Sequence, residues 1–245
     1  MLKNISTIIP FLLSILTFAF SLVRAETPSV HLTYIAHSTF LIESSDGKRI
    51  LTDPFSDGLG YVVPQIPTDF ITISHGHHDH NNEAMGIGNP MVIRELGEYR
   101  EENIFIRGTL AYHGRPRTSE QVILYSITVD GITFCHLGDL GGTLSEEQLE
   151  SIGQVDILFL PAVSPMEPED ADIVVKQINP RIVILIHYRT DAMLPRYGSP
   201  PPDEFLEGKD NVIIMNESEM ELSKDTLPEE TQIIVMKYSA EKAPR

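Results

Sequence analysis

The feature that most constrains this chain is the run His75-Gly76-His77-His78-Asp79-His80, which directly follows the apolar segment 69–74. His75 and His77 are two residues apart, so their imidazoles point to the same side of an extended chain, and Gly76 lets the backbone bend closely between them. A turn beyond them re-aims Asp79 and His80 at a second position. Imidazole and carboxylate are the donors that divalent transition metals, zinc in particular, prefer. The run therefore predicts a metal site at the end of a strand.

The alternative for this run is a solvated His-rich loop or an adventitious metal-binding tract. Because α/β proteins commonly build sites at the carboxyl ends of buried strands, the apolar segment before the run favours the metal site. Asp139 and His187 also follow apolar segments. A lone His in such a place is more often structural, but the cluster at 75–80 reverses that balance for His187. On the residues alone His113 stays open, and Asp53 before a proline is equally explained as turn chemistry.

The predicted elements are mostly strands, with helices inserted between apolar strands. Strands are predicted at 30–36, 39–43, 48–52, 69–74, 91–94, 104–107, 121–129, 132–137, 156–160, 181–186, 211–215 and 232–237. Helices are predicted at 81–85, at 146–152 behind a Ser-x-x-Gln capping pattern, and at 168–178 from Pro168. The proline-rich segment 190–202 is predicted as a surface loop. This order favours sheets covered by helices, in an α/β or α+β arrangement.

The N-terminal residues have the layout of a secretory signal peptide. Lys3 supplies a positive start, residues 5–23 form an apolar run without a charge, and Ala25 is a small residue at the cleavage point. We expect cleavage after residue 25 and export by the general secretory route, so that residues 26–245 fold in the periplasm or outside the cell. The alternative is an uncleaved anchor, which would then be the only membrane contact.

The charge balance excludes one class of partner. The chain has 18 Lys and Arg against 35 Asp and Glu, and removal of Lys3 and Arg24 with the signal segment leaves a balance of −19 with His neutral. Such a surface repels phosphate backbones, because nucleic-acid binding depends on Lys and Arg. We therefore expect a small-molecule substrate and no nucleic acid. Cys135 is the only cysteine, so no internal disulfide can form.

Five features, in this order, resemble the metallo-β-lactamase superfamily, and within it the branch of ascorbate-6-phosphate-lactonase-like metal-dependent hydrolases. They are the His37-Ser38-Thr39-Phe40 hairpin with Thr52-Asp53-Pro54, the His cluster, Ala111-Tyr112-His113-Gly114, Gly138-Asp139, and His187 after 182–186. The resemblance covers essentially all of residues 26–245. It implies a single hydrolase domain with an α+β fold, a four-layer αββα sandwich in which two mixed sheets lie face to face and helices lie outside.

The resemblance also implies a site for two divalent metal ions. One ion would be held by His75, His77 and His113, and the other by Asp79, His80 and His187. Asp139 would bridge both ions together with a hydroxide, and Asp53 would lie beneath the site and orient its ligands.

Such a site predicts a hydrolase whose bridging hydroxide attacks an ester, lactone or related bond of a small molecule. Zinc is the expected metal outside the cytoplasm because of its high affinity for such donors, with manganese or iron as alternatives. Asp79 and Tyr188 are candidate proton donors. True β-lactamases of this fold have Cys or Ser where this chain has Asp139, so β-lactam hydrolysis is disfavoured.

Two other functions stay open at this stage. N-acyl phosphatidylethanolamine phospholipase D also resembles this branch, so one is a phosphodiesterase that acts on a phospholipid-like substrate. The other is a non-catalytic extracytoplasmic metal-binding protein, against which the two complete ligand sets argue. The remaining histidines are predicted to be structural or solvated, and they are His31, His37, His78 and His136. Arg115 and Arg117 are predicted to pair with surface carboxylates rather than with an anionic substrate.

Overall fold

The computed structural model describes residues 27–114 and 120–243 of the chain. The predicted signal segment 1–25, Arg115 and Arg117 lie outside the described residues. In the part of the chain that the structure describes, no helix is both long enough and apolar enough to cross a membrane.

Strands dominate the described residues. In chain order they are β1 Ser29–Ala36, β2 Thr39–Glu43, β3 Arg49–Thr52, β4 Ile66–Pro67, β5 Phe70–Thr72, β6 Gly86–Ile87, β7 Met91–Ile93, β8 Gly97–Glu101, β9 Ile104–Tyr112, β10 Gln121–Val129, β11 Ile132–His136, β12 Ile157–Leu160, β13 Ile182–Leu185, β14 Val212–Ile214, β15 Glu219–Ser223 and β16 Gln232–Val235. The α-helices are α1 Glu146–Ile152, α2 Pro168–Ile178 and α3 Asp203–Leu206. Short 3₁₀ helices lie at Glu83–Met85, Pro195–Tyr197 and Lys224–Thr226.

The longer strands form two sheets, and within each sheet the strands that precede the predicted ligands run in the same direction. One sheet has the order β15-β1-β2-β3-β5-β7, and the other has the order β14-β16-β13-β12-β11-β10-β9-β8. Both β1 and β3 are antiparallel to β2, and β5 is parallel to β3. Both β9 and β11 are antiparallel to β10, and β11, β12 and β13 are parallel to each other. Within each sheet, the carboxyl ends of these strands therefore meet at one edge.

Side chains of the eight-stranded sheet alternate between two apolar layers. Tyr125 and Ile127 of β10 enter the layer between the two sheets, which they share with Phe40 of β2. Val122 and Leu124 point to the opposite face, where they pack with residues of α1 and α2. This period of two residues is that of a strand buried on both faces. The eight-stranded sheet is therefore the middle layer between helices and the second sheet.

The outer face of the six-stranded sheet is covered differently. Its apolar cluster joins Leu51 and Ile71 of the sheet to Phe55, Tyr61 and Met85, which come from irregular segments and a 3₁₀ helix. Helices thus cover one sheet, whereas loops cover the other. The predicted α+β sandwich of two mixed sheets is confirmed.

The bounds of the predicted elements agree best where local signals are strong. The helices predicted at 146–152 and 168–178 are α1 and α2, and Ser145 closes the predicted capping box with Gln148. The predicted strand 104–107 extends to Tyr112 because β9 pairs with β10 along its whole length. The helix predicted at 81–85 is only a 3₁₀ turn. Strands β8 and β15 were missed, because these edge strands carry charged residues and take their conformation from a neighbour.

Candidate metal centre

The candidate site lies where six strands end, three strands of the same direction from each sheet. The residues that follow these strand ends are His37 after β1, Asp53 after β3, His75–His80 after β5, His113 after β9, Asp139 after β11 and His187 after β13. Three of these strands belong to each sheet. Because the two sheets face each other, side chains from distant parts of the chain meet at this edge.

Two groups of four side chains at this edge are each close enough to hold an ion. The first group is His75, His77, His113 and Asp139, and the second group is His37, Asp79, His80 and His187. In each group the ligand atoms lie within 4.8 Å of one another. The structure therefore brings together all seven residues that were predicted as ligands. It places Asp139 with the first group and His37 with the second group.

Asp139 lies between the two groups. Its Oδ2 atom is 3.6 Å from His75 Nε2 and 3.3 Å from His113 Nε2, both in the first group. The same oxygen is 3.5 Å from His187 Nε2, and Oδ1 is 3.2 Å from His80 Nε2, both in the second group. One buried carboxylate thus reaches both groups, which is the placement that a bridging ligand needs.

The first group is partly open to solvent. Of its side chains, His77 is 42% exposed and His113 is 22% exposed, whereas His75 and Asp139 are buried. The half-exposed carboxylate of Glu120 lies 2.6 Å from His77 Nε2. The first group therefore forms the open side of the site.

The second group is more deeply buried. His37 and His80 are almost completely inaccessible, and 15% of the Asp79 side chain is exposed. Asp79 Oδ2 lies 3.1 Å from His37 Nε2 and 3.7 Å from the Nε2 atoms of His80 and His187. His37 had been predicted to be structural, yet the turn between β1 and β2 brings its ring into this group. Sequence position alone did not indicate that approach.

Asp53 lies beneath both groups, buried among hydrogen-bond donors. Its Oδ1 accepts from the Ser74 N–H (2.7 Å), and its Oδ2 accepts from the Ser74 hydroxyl (2.5 Å) and from His80 Nδ1 (2.8 Å). The Ser74 Oγ in turn lies 2.9 Å from His75 Nδ1. Because the serine proton goes to the carboxylate, Ser74 accepts from His75 Nδ1–H. Both rings therefore carry a proton on Nδ1 and direct Nε2 into the site.

The titratable groups are held mostly in the forms that a metal ion requires. Burial raises the pKa of Asp79 and of Asp139, but nearby imidazoles, His187 foremost, outweigh burial and hold both pKa values well below the usual range. Burial lowers the pKa of His75 and of His37 to about 4. At neutral pH the carboxylates are therefore ionised and these two rings are neutral.

His80 differs from the other buried rings. Burial lowers its pKa, but the carboxylates of Asp139 and Asp53 outweigh that effect and raise the pKa well above its usual value. Without an ion, these carboxylates favour the protonated form of the His80 ring. A metal ion at His80 Nε2 would compete with this proton, which makes metal binding at this ring dependent on pH.

The unpaired atoms at the centre fit a metal ion. The Nε2 atoms of His75 and His80 and the Oδ1 atom of Asp139 are buried without a hydrogen-bond partner. Buried polar atoms are normally paired, because an unpaired one costs about 1–3 kcal/mol. Nitrogen and carboxylate oxygen atoms clustered in this way match the donor set of zinc and related divalent ions. The residues of the site therefore fit the predicted divalent metal ions.

The other histidines lie where a structural or solvated role was predicted. His78 is largely exposed and its Nε2 lies 3.3 Å from the Tyr197 hydroxyl. His31 pairs with Glu221 on the surface. His136 is buried, and its Nε2 donates to the Ser38 carbonyl at 2.8 Å.

Two details differ from the sequence-based expectation. A Cβ at Gly76 would meet nothing within 4 Å, so the bend there does not require glycine. Gly138 does require it, because its φ is +50° and a Cβ would lie 2.7 Å from the Ser74 side chain. The Tyr188 hydroxyl donates to the Met236 carbonyl, and burial raises the pKa of this group to about 12. Its proton is therefore engaged by the backbone and supports no role as a donor.

Three residues of the site were missed from the sequence, namely His37, Ser74 and Glu120. Ser74 carried a usable signal, because a hydroxyl directly before a predicted ligand can orient that ligand. His37 follows a predicted strand as the ligands do, but nothing local separates it from a structural histidine. Glu120 had no signal, since its approach to His77 depends on how β10 begins beside the site.

Comparison with known proteins agrees with this geometry. Residues 31–187 match the family model described as the beta-lactamase superfamily domain. A UPF0173 metal-dependent hydrolase of Pelotomaculum thermopropionicum is 31% identical over 193 residues, which cover 64% of this chain and 84% of the relative. A UPF0173 metal-dependent hydrolase of Lysinibacillus sphaericus is 31% identical over 199 residues, covering 66% and 86%.

Solved structures show the same likeness. A Thermotoga maritima protein assigned to the Zn-dependent hydrolases of the metallo-β-lactamase superfamily aligns with a TM-score of 0.71 and 30% identity, over 86% of this chain and all of that one. A metallo hydrolase of Ignicoccus hospitalis, 23% identical, shares the fold with a TM-score of 0.53 over 72% of this chain and 88% of that one. With the two ligand groups in place, the chain belongs to the metallo-β-lactamase superfamily and is one of its metal-dependent hydrolases.

Proposed function

We propose that this protein is a dinuclear hydrolase that cleaves an ester, lactone or related bond of a small molecule. The observation that carries this proposal is the position of Asp139, whose two oxygens lie 3.2–3.6 Å from the Nε2 atoms of four histidines in two groups. His75, His77 and His113 would hold one ion, and Asp79, His80 and His187 the other. A mononuclear site would leave one of these groups without a use.

When bound, two divalent ions supply an ionised water near neutral pH and polarise the carbonyl or phosphoryl oxygen of the substrate. The residues of the chain provide the rest. Asp139 would hold the two ligand groups at a fixed separation, and Asp53 with Ser74 would fix the rings of His75 and His80. The low pKa of Asp79 makes it an ionised ligand at neutral pH rather than a proton donor.

Zinc is the metal that we propose for both positions. The donor set of five imidazole nitrogens and two carboxylates supports this choice, and the 30% identical Thermotoga maritima protein is assigned as Zn-dependent. Manganese and iron accept the same donors with lower affinity. We further propose that the protein works after export, in the periplasm or outside the cell, where the acidic balance of residues 26–245 disfavours polyanionic substrates.

The test is the metal content of the full chain together with its hydrolytic activity. We expect about two zinc ions per chain, and hydrolysis in a panel of small esters, lactones and phosphodiesters that stops after chelation and returns with zinc. Asp139→Ala should lower the metal content and abolish hydrolysis. His31→Asn, a surface variant outside the site, is the control and should match the wild type. One ion per chain, or activity that survives complete chelation, would contradict the proposal.

A further inference from the structure

We propose that His37 is a positioning residue for the second ligand group, whose ring holds the Asp79 carboxylate and whose carbonyl holds the main chain at His187. This inference rests on the proposed dinuclear function. It assigns a role to a residue in the turn between β1 and β2, outside the seven predicted ligands. It also gives this turn of the six-stranded sheet a direct link to the strand end that carries His187.

The ring contact is short and buried. His37 Nε2 lies 3.1 Å from Asp79 Oδ2, and 1% of the His37 side chain is exposed. The His37 ring also packs against the His187 ring, with 4.3 Å between the centroids. A side chain enclosed in this way has few alternative positions, so the carboxylate that it contacts is held as well.

The protonation pattern distinguishes a hydrogen-bond donor from a metal ligand. The Nδ1 atom of His37 is buried and has no hydrogen-bond partner. If the proton were on Nδ1, a buried N–H would be unpaired, and two lone pairs, on Nε2 and on Asp79 Oδ2, would face each other at 3.1 Å. A proton on Nε2 removes the facing lone pairs, because Nε2–H then donates to Oδ2, and it leaves Nδ1 as an unpaired acceptor rather than an unpaired donor. In this form the Nε2 atom has no lone pair to offer a metal ion.

The backbone contact ties the two sheets together. The His37 carbonyl accepts from the His187 N–H at 3.1 Å and from the Tyr34 hydroxyl at 3.1 Å. His37 and His187 both have a left-handed backbone, with φ of +59° and +57°. This conformation is uncommon for residues other than glycine, and it clusters at functional sites when the surrounding structure enforces it. Here it directs both rings towards Asp79.

These contacts assign one consequence to His37. Its ring contacts Asp79 Oδ2, and its carbonyl fixes the position of the His187 main chain. Loss of the ring should therefore weaken the second ligand group selectively, whereas a merely structural defect would weaken both groups. Partners that orient ligands in this way commonly change metal affinity by about 10–100-fold when they are removed.

The experiment compares His37→Asn and His37→Gln in the full chain. Asparagine tolerates the left-handed backbone but is too short to reach Asp79, whereas the glutamine amide can place an N–H near the position of Nε2. Zinc affinity is measured in two steps by competition with a chromophoric chelator. His77→Ala and His80→Ala identify which step belongs to the first group and which to the second. His31→Asn, the same change near the start of β1, is the matched control.

We expect His37→Asn to weaken the step that belongs to the second group by about 10–100-fold and to leave the other step unchanged, while His37→Gln keeps most of the affinity. Equal affinity in His37→Asn and wild type, or equal weakening of both steps, would overturn the inference. If His37→Gln folds as the wild type does and loses as much affinity as His37→Asn, His37 is a ligand and the positioning role is wrong. A wild type that binds fewer than two ions would instead contradict the proposed function.

Discussion

The two ligand groups use the same types of side chain but differ in burial and support. In the second group, His37 and His80 are enclosed, and Asp79 lies within hydrogen-bonding distance of the His37 ring. In the first group, His77 and His113 reach solvent, and the Nε2 of His77 lies beside the carboxylate of Glu120. One half of the site is therefore enclosed by the fold, whereas the other half is open to solvent.

The topology explains this difference. The second group forms where the turn after β1 meets the end of β13, so residues of both sheets enclose it. The first group draws His113 from the end of β9, next to the outermost strand of its sheet. Fewer elements surround a position near the outermost strand of a sheet, so the side chains there remain more exposed. Four predictions test the comparison between the two groups.

The largest difference should appear when one ring is removed from each group. His80→Ala should weaken the second ion by more than the ~100-fold typical of supporting residues, because His80 is predicted as a direct ligand. It should also lower the unfolding free energy of the metal-free protein by about 1–3 kcal/mol, since the buried Asp53 loses a donor. His77→Ala should lower this free energy by less than about 1 kcal/mol. Urea titration in the presence of a chelator measures the unfolding free energies of both variants. Equal losses in the two variants would contradict the proposed difference between the groups.

The second prediction concerns Ser74, which supports the first group. Ser74→Ala should weaken binding of the first ion by about 10–100-fold, because His75 Nδ1 loses the Ser74 hydroxyl that links it to Asp53. His80 contacts Asp53 directly, so the second ion should be affected less. Ser126→Ala is the matched control, since this buried hydroxyl donates to the Ile152 carbonyl and lies outside the ligand groups. Equal zinc affinities in the two serine variants would refute the relay through Ser74.

The third prediction compares two glycines beside the ligands. Gly138→Ala should lower the unfolding free energy by about 1–3 kcal/mol, because its φ is +50° and the new Cβ would overlap the Ser74 side chain. It should also reduce the affinity for the first ion through displacement of Ser74. Gly76→Ala should change the unfolding free energy by less than about 1 kcal/mol, since nothing lies near its Cβ position. Thermal and urea unfolding measure both changes, and similar losses in the two variants would mean that the packing at Gly138 is unimportant.

The smallest effect is expected at Glu120. Its carboxylate lies 2.6 Å from His77 Nε2, the atom that a metal ion would use, and both side chains are more than 40% exposed. An exposed pair contributes about 0–1 kcal/mol, so Glu120→Gln should leave folding unchanged and tighten binding of the first ion by up to about fivefold. A calorimetric zinc titration measures this change. Weaker binding in the variant would mean that Glu120 supports the metal rather than competing with it.

Much of the site was predictable because its signals are local. The spacing of His75 and His77 behind an apolar strand indicated a metal site before any fold was known. The apolar segments before Asp139 and His187 also indicated these two residues, and the family resemblance added His113. Their gathering at one edge is seen in the structure, whereas their roles as ligands stay a prediction. The helices α1 and α2 were predicted with their bounds because capping and proline signals mark both starts.

The rest was decided by contacts between residues far apart in the chain. His37 and Asp79 are 42 residues apart, and the His37 carbonyl meets His187 only when the two sheets close on each other. The same holds for the charged edge strands β8 and β15, whose pairing is set by their neighbours. The donor types and the strands that carry them could be predicted from the sequence, because spacing and hydrophobic alternation act over a few residues. Which donors are buried, which are held by hydrogen bonds and which stay open depends on the tertiary structure, because residues of the other sheet cover some donors and leave others exposed.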